Sequence, residues 1–148
     1  MSNPERAPRA LTGGPGPACS LPVRIYYHHT DAGGVVYHGR YLDFMEAARI
    51  ELLNGLGLDL ASLAERDHVL FMVYRMEVDY HRPARLNDLL TVGAAIARVG
   101  RVRLDFEQQV RRGAELLVSG KVLAACVDPR SFRPTALPEP LRLRLQHR

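Results

Sequence analysis

Tryptophan is absent from these 148 residues, and cysteine occurs only twice, as Cys19 and Cys126. Two cysteines without a C-x-x-C spacing supply no cysteine-ligated metal centre. With one in a Pro/Gly-rich leader and the other inside an apolar run, they supply no disulfide framework either. Long apolar runs are also missing: none approaches the roughly 20 residues that cross a bilayer, and residues 1–20 lack the continuous apolar core of an export signal. A cytoplasmic protein without membrane insertion is expected. Charge is not concentrated in either sign, since 20 Lys+Arg against 16 Asp+Glu leave a net charge of +4. The small excess favours anionic partners such as phosphates. Scattered basic residues without tryptophan offer neither a cationic stripe nor a rich stacking platform, so nucleic acid is not an expected partner.

What is present is enough for one folded unit. Apolar residues make up 47% of the chain and charged residues 24%, the balance of an ordinary globular domain. Residues 1–20, rich in Pro, Gly and Ala, bury too little apolar surface to offset the entropy of ordering, and form an expected loose tail ahead of a domain at 21–148. From Val23 the sequence alternates, with Val23, Ile25 and Tyr27 on one face and Arg24, Tyr26 and His28 on the other, which predicts a first strand. Thr30 to Gly34 is dense in turn formers and ends it. Tyr41, Phe44, Met45, Ala48, Leu52 and Leu56 then recur at helical spacing, with Arg40, Asp43, Glu46, Arg49 and Asn54 outside that arc. Leu42, Ala47, Ile50 and Leu53 also lie off the arc, so the helix has more apolar circumference than one sheet face covers.

A short helical turn is expected around Leu58 to Glu65, and period two follows. Met72 to Tyr80, Leu90 to Ile96, Val102 to Val110 and Leu116 to Val127 read as four strands, the last apolar on both phases past Val122 and therefore interior. Four prolines from Pro129 onward make the C-terminus a loop, with a docked final turn at Leu141 to Leu145. One long helix against an antiparallel sheet of about five strands is the economical α+β arrangement.

The segment from Tyr26 to Tyr41, YYHHTDAGGVVYHGRY, joins the first strand to the helix. Read by residue type alone, Asp31 has two open roles: a turn aspartate that bonds its own backbone ahead of Gly33 and Gly34, or a carboxylate poised for chemistry. The Thr30-to-His38 block, followed by Tyr41, Phe44, Met45, Glu46 and Arg49, closely resembles the signature of the 4-hydroxybenzoyl-CoA thioesterase family of hotdog proteins. The resemblance is closest to its YbgC-like branch, acyl-CoA thioesterases associated with the Tol-Pal system, and extends more weakly to about residue 130.

The resemblance implies a hotdog fold, in which a central helix is wrapped by the sheet, and an acyl-CoA thioesterase that releases a carboxylic acid and free CoA without metal or cofactor. It places the catalytic carboxylate at Asp31, as nucleophile or general base, and uses the backbone N–H at His38 to polarise the thioester carbonyl, the His38 imidazole being left either a direct catalytic role or one of packing and capping at the helix entry. Gly33 and Gly34 would let substrate approach the backbone, and Tyr37 and Tyr41 would line the acyl pocket, although turn formation and core packing also account for them. Glu46, off the apolar arc, reads as structural or solvated. Arg82, Arg85, Arg101 and Arg103, near strand ends, are candidate contacts for CoA phosphates. Because family sites form between subunits, a homodimer or homotetramer is implied, with acyl carrier protein a further possible partner.

The chain departs from the branch in two places: His28-His29 stand where Glu-Asp is usual, and Arg40 where Asn is usual. Adjacent strand residues point to opposite faces, so His28 and His29 are not expected to chelate a metal together. Two rivals remain. One is a hotdog hydratase or dehydratase, which needs a His paired with an acid; the Gly-His-Phe-Pro motif of some such enzymes is absent. The other is a non-catalytic domain that holds acyl carrier protein or envelope-biogenesis partners.

Overall fold

The computed structural model describes residues 16–146. The expected loose tail therefore lies, as far as residue 15, outside the described residues. Its last residues are ordered into strand β1, Ala18–Arg24. After β1 come a 3-10 turn at Tyr27–His29, helix α1 at Arg40–Gly55, and a short α2 at Leu60–Ser62 that runs into a π turn at Leu63–Asp67. Strands β2 (Leu70–Tyr80), β3 (Leu89–Val99), β4 (Arg103–Arg112) and β5 (Glu115–Val127) follow, and α3 (Glu139–Gln146) ends the chain. All neighbours pair antiparallel in one five-stranded sheet of order β1-β3-β4-β5-β2. This is the expected α+β arrangement.

The first strand sits earlier than its alternation predicts, at Ala18–Arg24 rather than Val23 to His28. Cys19, Leu21 and Val23 point inward while Ala18, Ser20, Pro22 and Arg24 face solvent, so the apolar phase extends backward into the Pro/Gly-rich leader. Pro22 is tolerated because, among the described residues, β1 is an edge strand paired only with β3.

Helix α1 packs across β3 and β1. It buries Tyr41, Phe44, Met45, Ala48 and Leu52 of the expected arc, together with Leu53 and Arg49. Arg49, expected among the outward residues, is instead 9% exposed. Its Nη1 donates to Oε1 of Gln108 on β4 at 2.8 Å, and Gln108 Nε2 donates in turn to the Met45 carbonyl at 2.9 Å. Burial pushes the Arg49 guanidinium pKa down from its ordinary value, and nearby Glu46 works against that. The helix approaches the sheet closely over Gly120, where a Cβ would come within 2.5 Å of Met45 Cε. Leu90, Val92, Ala94 and Ile96 of β3, Leu104, Phe106 and Val110 of β4, and Val118, Val122 and Ala124 of β5 complete the core beneath it.

Interior β5 lies between β4 and β2, and past Val122 even its outward residues Leu123 and Ala125 are half-buried. Strand β2 forms the other edge. Its register slips between Val73 and Arg75, a bulge at Tyr74, so its period is broken midway. Met72, Val73 and Tyr74 are exposed there, and Tyr80 is exposed at the strand's end. Helix α3 docks through buried Leu141 and Leu145, the expected final turn. Among the described residues, no helix is long and apolar enough to cross a membrane.

Candidate active site

The segment from Tyr26 to His38 is built by local bonds. The N–H groups of His29 and Thr30 donate to the carbonyls of Tyr26 and Tyr27, each at 3.0 Å, and the Thr30 hydroxyl also reaches the Tyr27 carbonyl at 2.7 Å. His29 closes the turn, its Nδ1 accepting the Tyr26 N–H at 2.9 Å. The two histidines are thus not on opposite faces of a strand: they share a turn, with ring centroids 3.9 Å apart. Among the described residues, no group of three or more His, Cys, Asp or Glu side chains is placed to hold a metal ion.

Beyond the turn, Thr30 bridges to Val36, and Asp31 N–H donates to the Val35 carbonyl at 3.0 Å. Gly34 takes φ 77° at the tip of this small hairpin, a left-handed conformation that glycine adopts without a side-chain clash. The Asp31 carboxylate is exposed, and its Oδ1 accepts the Gly33 N–H at 2.8 Å. A Cβ at residue 33 would sit 3.1 Å from that oxygen, so glycine lets the carboxylate fold over the turn. The turn-aspartate geometry and solvent exposure therefore coexist in one side chain.

The chain then runs into α1. Tyr37 N–H donates to the His29 carbonyl and Val36 N–H to the Ala84 carbonyl, each at 2.9 Å. The amides of His38 and Gly39 donate to no group among the described residues, and the α1 N-cap has no side-chain acceptor. Tyr80, at the end of β2, donates its hydroxyl to the His38 carbonyl at 2.9 Å. Its ring meets His38 edge-on at 6.3 Å and Tyr41 at 5.7 Å. Burial, and then Tyr37, push the Tyr80 hydroxyl pKa upward. Sequence reasoning missed Tyr80 as a site residue; its only sequence signal was an aromatic closing a strand just before His81-Arg82-Pro83.

The structure thus brings Asp31, Gly33, Gly34, Tyr37 and His38 together at the start of α1. Tyr41 is separate from that surface: it is 3% exposed and its hydroxyl accepts the Ala84 N–H at 3.2 Å, a core anchor. Arg82 lies at the Asp31 end of the sheet, 3.9 Å from Glu115. Arg103, paired with Asp105 at 2.9 Å, and Arg101 lie at the far end of β4, roughly 27 Å from Arg82 at ~3.4 Å per strand residue. A cavity of about 280 Å³ lies between the end of α1, the α2 region and α3, lined by Arg66, Arg144 and Asp67 among others. It is at the opposite end of α1 from Asp31.

A single long helix laid over a five-stranded antiparallel sheet is the hotdog arrangement of α+β proteins. The sequence pattern of the Thioesterase superfamily matches residues 33–119. The chain is 41% identical over 128 residues to the acyl-CoA thioesterase YbgC of Haemophilus influenzae, covering 86% of this chain and 94% of that protein. Among solved structures it is similar to a probable thioesterase from Bartonella henselae, with TM-score 0.77 and 35% identity over 82% of this chain and 99% of that one. It is also similar to a thioesterase from Thermus thermophilus complexed with coenzyme A and Zn, with TM-score 0.75 and 32% identity over 90% and 93% of the two chains. The chain belongs to the thioesterase superfamily, a family of hydrolases.

Proposed function

We propose that the protein hydrolyses acyl-CoA thioesters to a carboxylic acid and free CoA, with Asp31 as the working carboxylate. The reading is supported by one juxtaposition above all. Asp31 and the undonated amides of His38 and Gly39 are tied into a single short span by the Thr30–Val36 bridge and the Tyr37–His29 bond. A thioester carbonyl set against those amides would find donors for its developing oxyanion, each such donor typically worth about 10²–10³ in rate. The Asp31 carboxylate would either attack the carbonyl carbon to give a mixed anhydride, with CoA thiolate leaving and water then cleaving the anhydride to free the acid, or take a proton from a water that attacks the carbonyl directly.

On one chain this surface is open, and water exclusion calls for a partner. We assign that partner as a second copy paired along β2, giving a homodimer or a tetramer of such pairs. Edge strand β1 has seven residues and contains Pro22, whereas edge strand β2 has eleven residues with no proline or glycine, and carries exposed Met72, Val73 and Tyr74. Antiparallel pairing about a two-fold axis turns the Arg101 and Arg103 end of the second copy toward the Asp31 end of the first, which suits a phosphate-bearing substrate spanning both.

The decisive variant is Asp31→Asn. Its amide oxygen keeps the Gly33 bond, so the turn survives while the charge is lost. The expected result is unchanged melting and a drop of about 10²–10⁴ in thiol release from acyl-CoAs. Full activity in Asp31→Asn would leave Asp31 a turn residue only. Acyl-CoA binding without any thiol release by the wild type would favour the non-catalytic reading.

A further inference from the structure

We propose that His29 is a positioning residue whose neutral imidazole holds the Asp31 turn in its working geometry, so that hydrolysis falls away as the solution becomes acidic. The inference rests on the thioesterase reading above and adds to it a specific pH gate.

The geometry carries the argument. Nδ1 of His29 accepts the Tyr26 N–H at 2.9 Å, so its lone pair is engaged and the ring's single proton sits on Nε2. Protonation would place an N–H against an N–H and turn this bond into a repulsion. A side chain at the third residue of a turn that reaches back to the N-cap amide is ordinarily Glu or Gln, which accept on both sides of neutrality. An imidazole accepts only while neutral, and histidine is the side chain whose charge changes near pH 6–7. The turn so held is the one that carries Thr30 and Asp31, and the His29 carbonyl fixes the Tyr37 N–H beside His38. Losing the closing bond therefore loosens Asp31 and the start of α1 relative to one another.

Among the described residues, the surroundings offer the charged ring no counter-ion. Within its own turn, His29 faces the His28 ring at 3.9 Å and the Tyr26 ring at 5.9 Å. From α1 it meets Phe44 edge-on at 5.1 Å, and feels Arg40, whose own carboxylate contact is Asp43 at 3.5 Å. Burial, then His28, then Arg40 all lower the His29 pKa. The acid limb should accordingly lie below the ordinary histidine value of about 6.5.

The test follows the pH dependence of kcat and kcat/KM with hexanoyl-CoA and benzoyl-CoA, alongside an NMR titration of the His29 ring nitrogens and exchange of the Tyr26 amide. In the wild type, rate should fall about tenfold per pH unit below the midpoint at which His29 titrates, and Tyr26 amide protection should vanish over the same range. In His29→Asn the amide oxygen occupies the δ position, accepts at any pH and cannot titrate. That variant should keep the plateau rate and lose this limb. His29→Ala should lose rate at every pH. An unaltered acid limb in His29→Asn, or Tyr26 protection that persists through His29 protonation, overturns the proposal. Should neither thioester be hydrolysed, the proposed reaction fails on its own, and the Tyr26 amide alone decides whether the gate exists.

Discussion

Replacing Gln108 by leucine removes one side chain of nearly conserved volume, and its cost follows from the bonds it makes. Gln108 is 1% exposed. Its Oε1 is the acceptor for Arg49 Nη1, and its Nε2 donates to the Met45 carbonyl at 2.9 Å and, more weakly, to the Gly93 carbonyl at 3.4 Å. No carboxylate pairs with Arg49 among the described residues; the Phe106 ring lies 6.0 Å below it. Losing an acceptor for a buried charged donor costs roughly 1.5–3 kcal/mol. The two carbonyls belong to helix and sheet and have backbone donors, so their loss adds about 0.5–1 kcal/mol. Gln108→Leu should therefore destabilise by roughly 2–4 kcal/mol, which for a domain of this size lowers Tm by about 5–15 °C. Urea melts at fixed protein concentration should show a lower midpoint with unchanged slope. Arg49→Met combined with Gln108→Leu should recover most of the loss, because it removes the stranded cation and fills the space with apolar atoms. A Gln108→Leu protein within about 0.5 kcal/mol of the wild type, or single costs that simply add in the double variant, would refute the account.

Tyr80→Phe deletes the bond to the His38 carbonyl from an exposed ring, and should lower kcat about tenfold through misplacement of the α1 start while melting within about 1 °C of the wild type. At Asp88, burial works to raise the pKa, but the Arg85 amide and the Arg112 guanidinium outweigh it and hold the carboxyl below the usual aspartate range. Its stabilisation is thus fully present above the ordinary value of about 3.9 and is lost as pH falls through the lower folded value. Asp88→Asn should be less stable than the wild type at pH 6, with the two converging at the acid end of a stability profile. Burial pushes the Cys126 thiol pKa to about 11, so native protein at pH 8 should resist iodoacetamide at this position until urea unfolds it, as read by mass spectrometry. If the proposed pairing along β2 holds, the wild type should sediment as a dimer or tetramer, and Val73→Lys on the outer edge of β2 should sediment as a monomer with reduced thiol release.

The architecture was legible because its signals are periodic. The arc from Tyr41 to Leu52 and the alternation in four later strands each repeat often enough to outvote local exceptions. What stayed hidden depended on partners distant in sequence or on a single bond. Arg49 reads as solvent-facing by residue type, and only Gln108, 59 residues away on β4, explains its burial. The start of β1 was masked by a leader whose composition argues against order, and by Pro22, which is acceptable because no strand among the described residues lies beyond it. The Tyr26-to-His28 stretch alternates like a strand, yet backbone bonds to the Tyr26 and Tyr27 carbonyls, closed by the His29 imidazole on the Tyr26 amide, make it a turn. The motif singles out Asp31, but not the bond by which its carboxylate accepts the Gly33 N–H while the residue stays exposed. Nor could residue spacing show that Arg82 and the pair Arg101 and Arg103 stand at opposite ends of the sheet.

The treatment of helix starts in this chain bears on the proposed chemistry. Asp59 caps the three-residue α2, its carboxylate accepting the Ala61 N–H. By contrast, α1, with sixteen residues, has Gly39 as its N-cap and no side-chain acceptor there. Omitting such a cap typically costs about 1 kcal/mol. Gly39 is also hemmed in, since a Cβ there would come within 2.8 Å of Tyr37 Cε1, so a capping serine or aspartate has no room without moving the ring. The backbone is instead braced from outside, by Tyr80 on the His38 carbonyl and by His29 on the Tyr37 amide. Such bracing fixes where the amides point without consuming their hydrogens. A helix that needed only stability would be capped; one that must present donors to a developing oxyanion is better held this way.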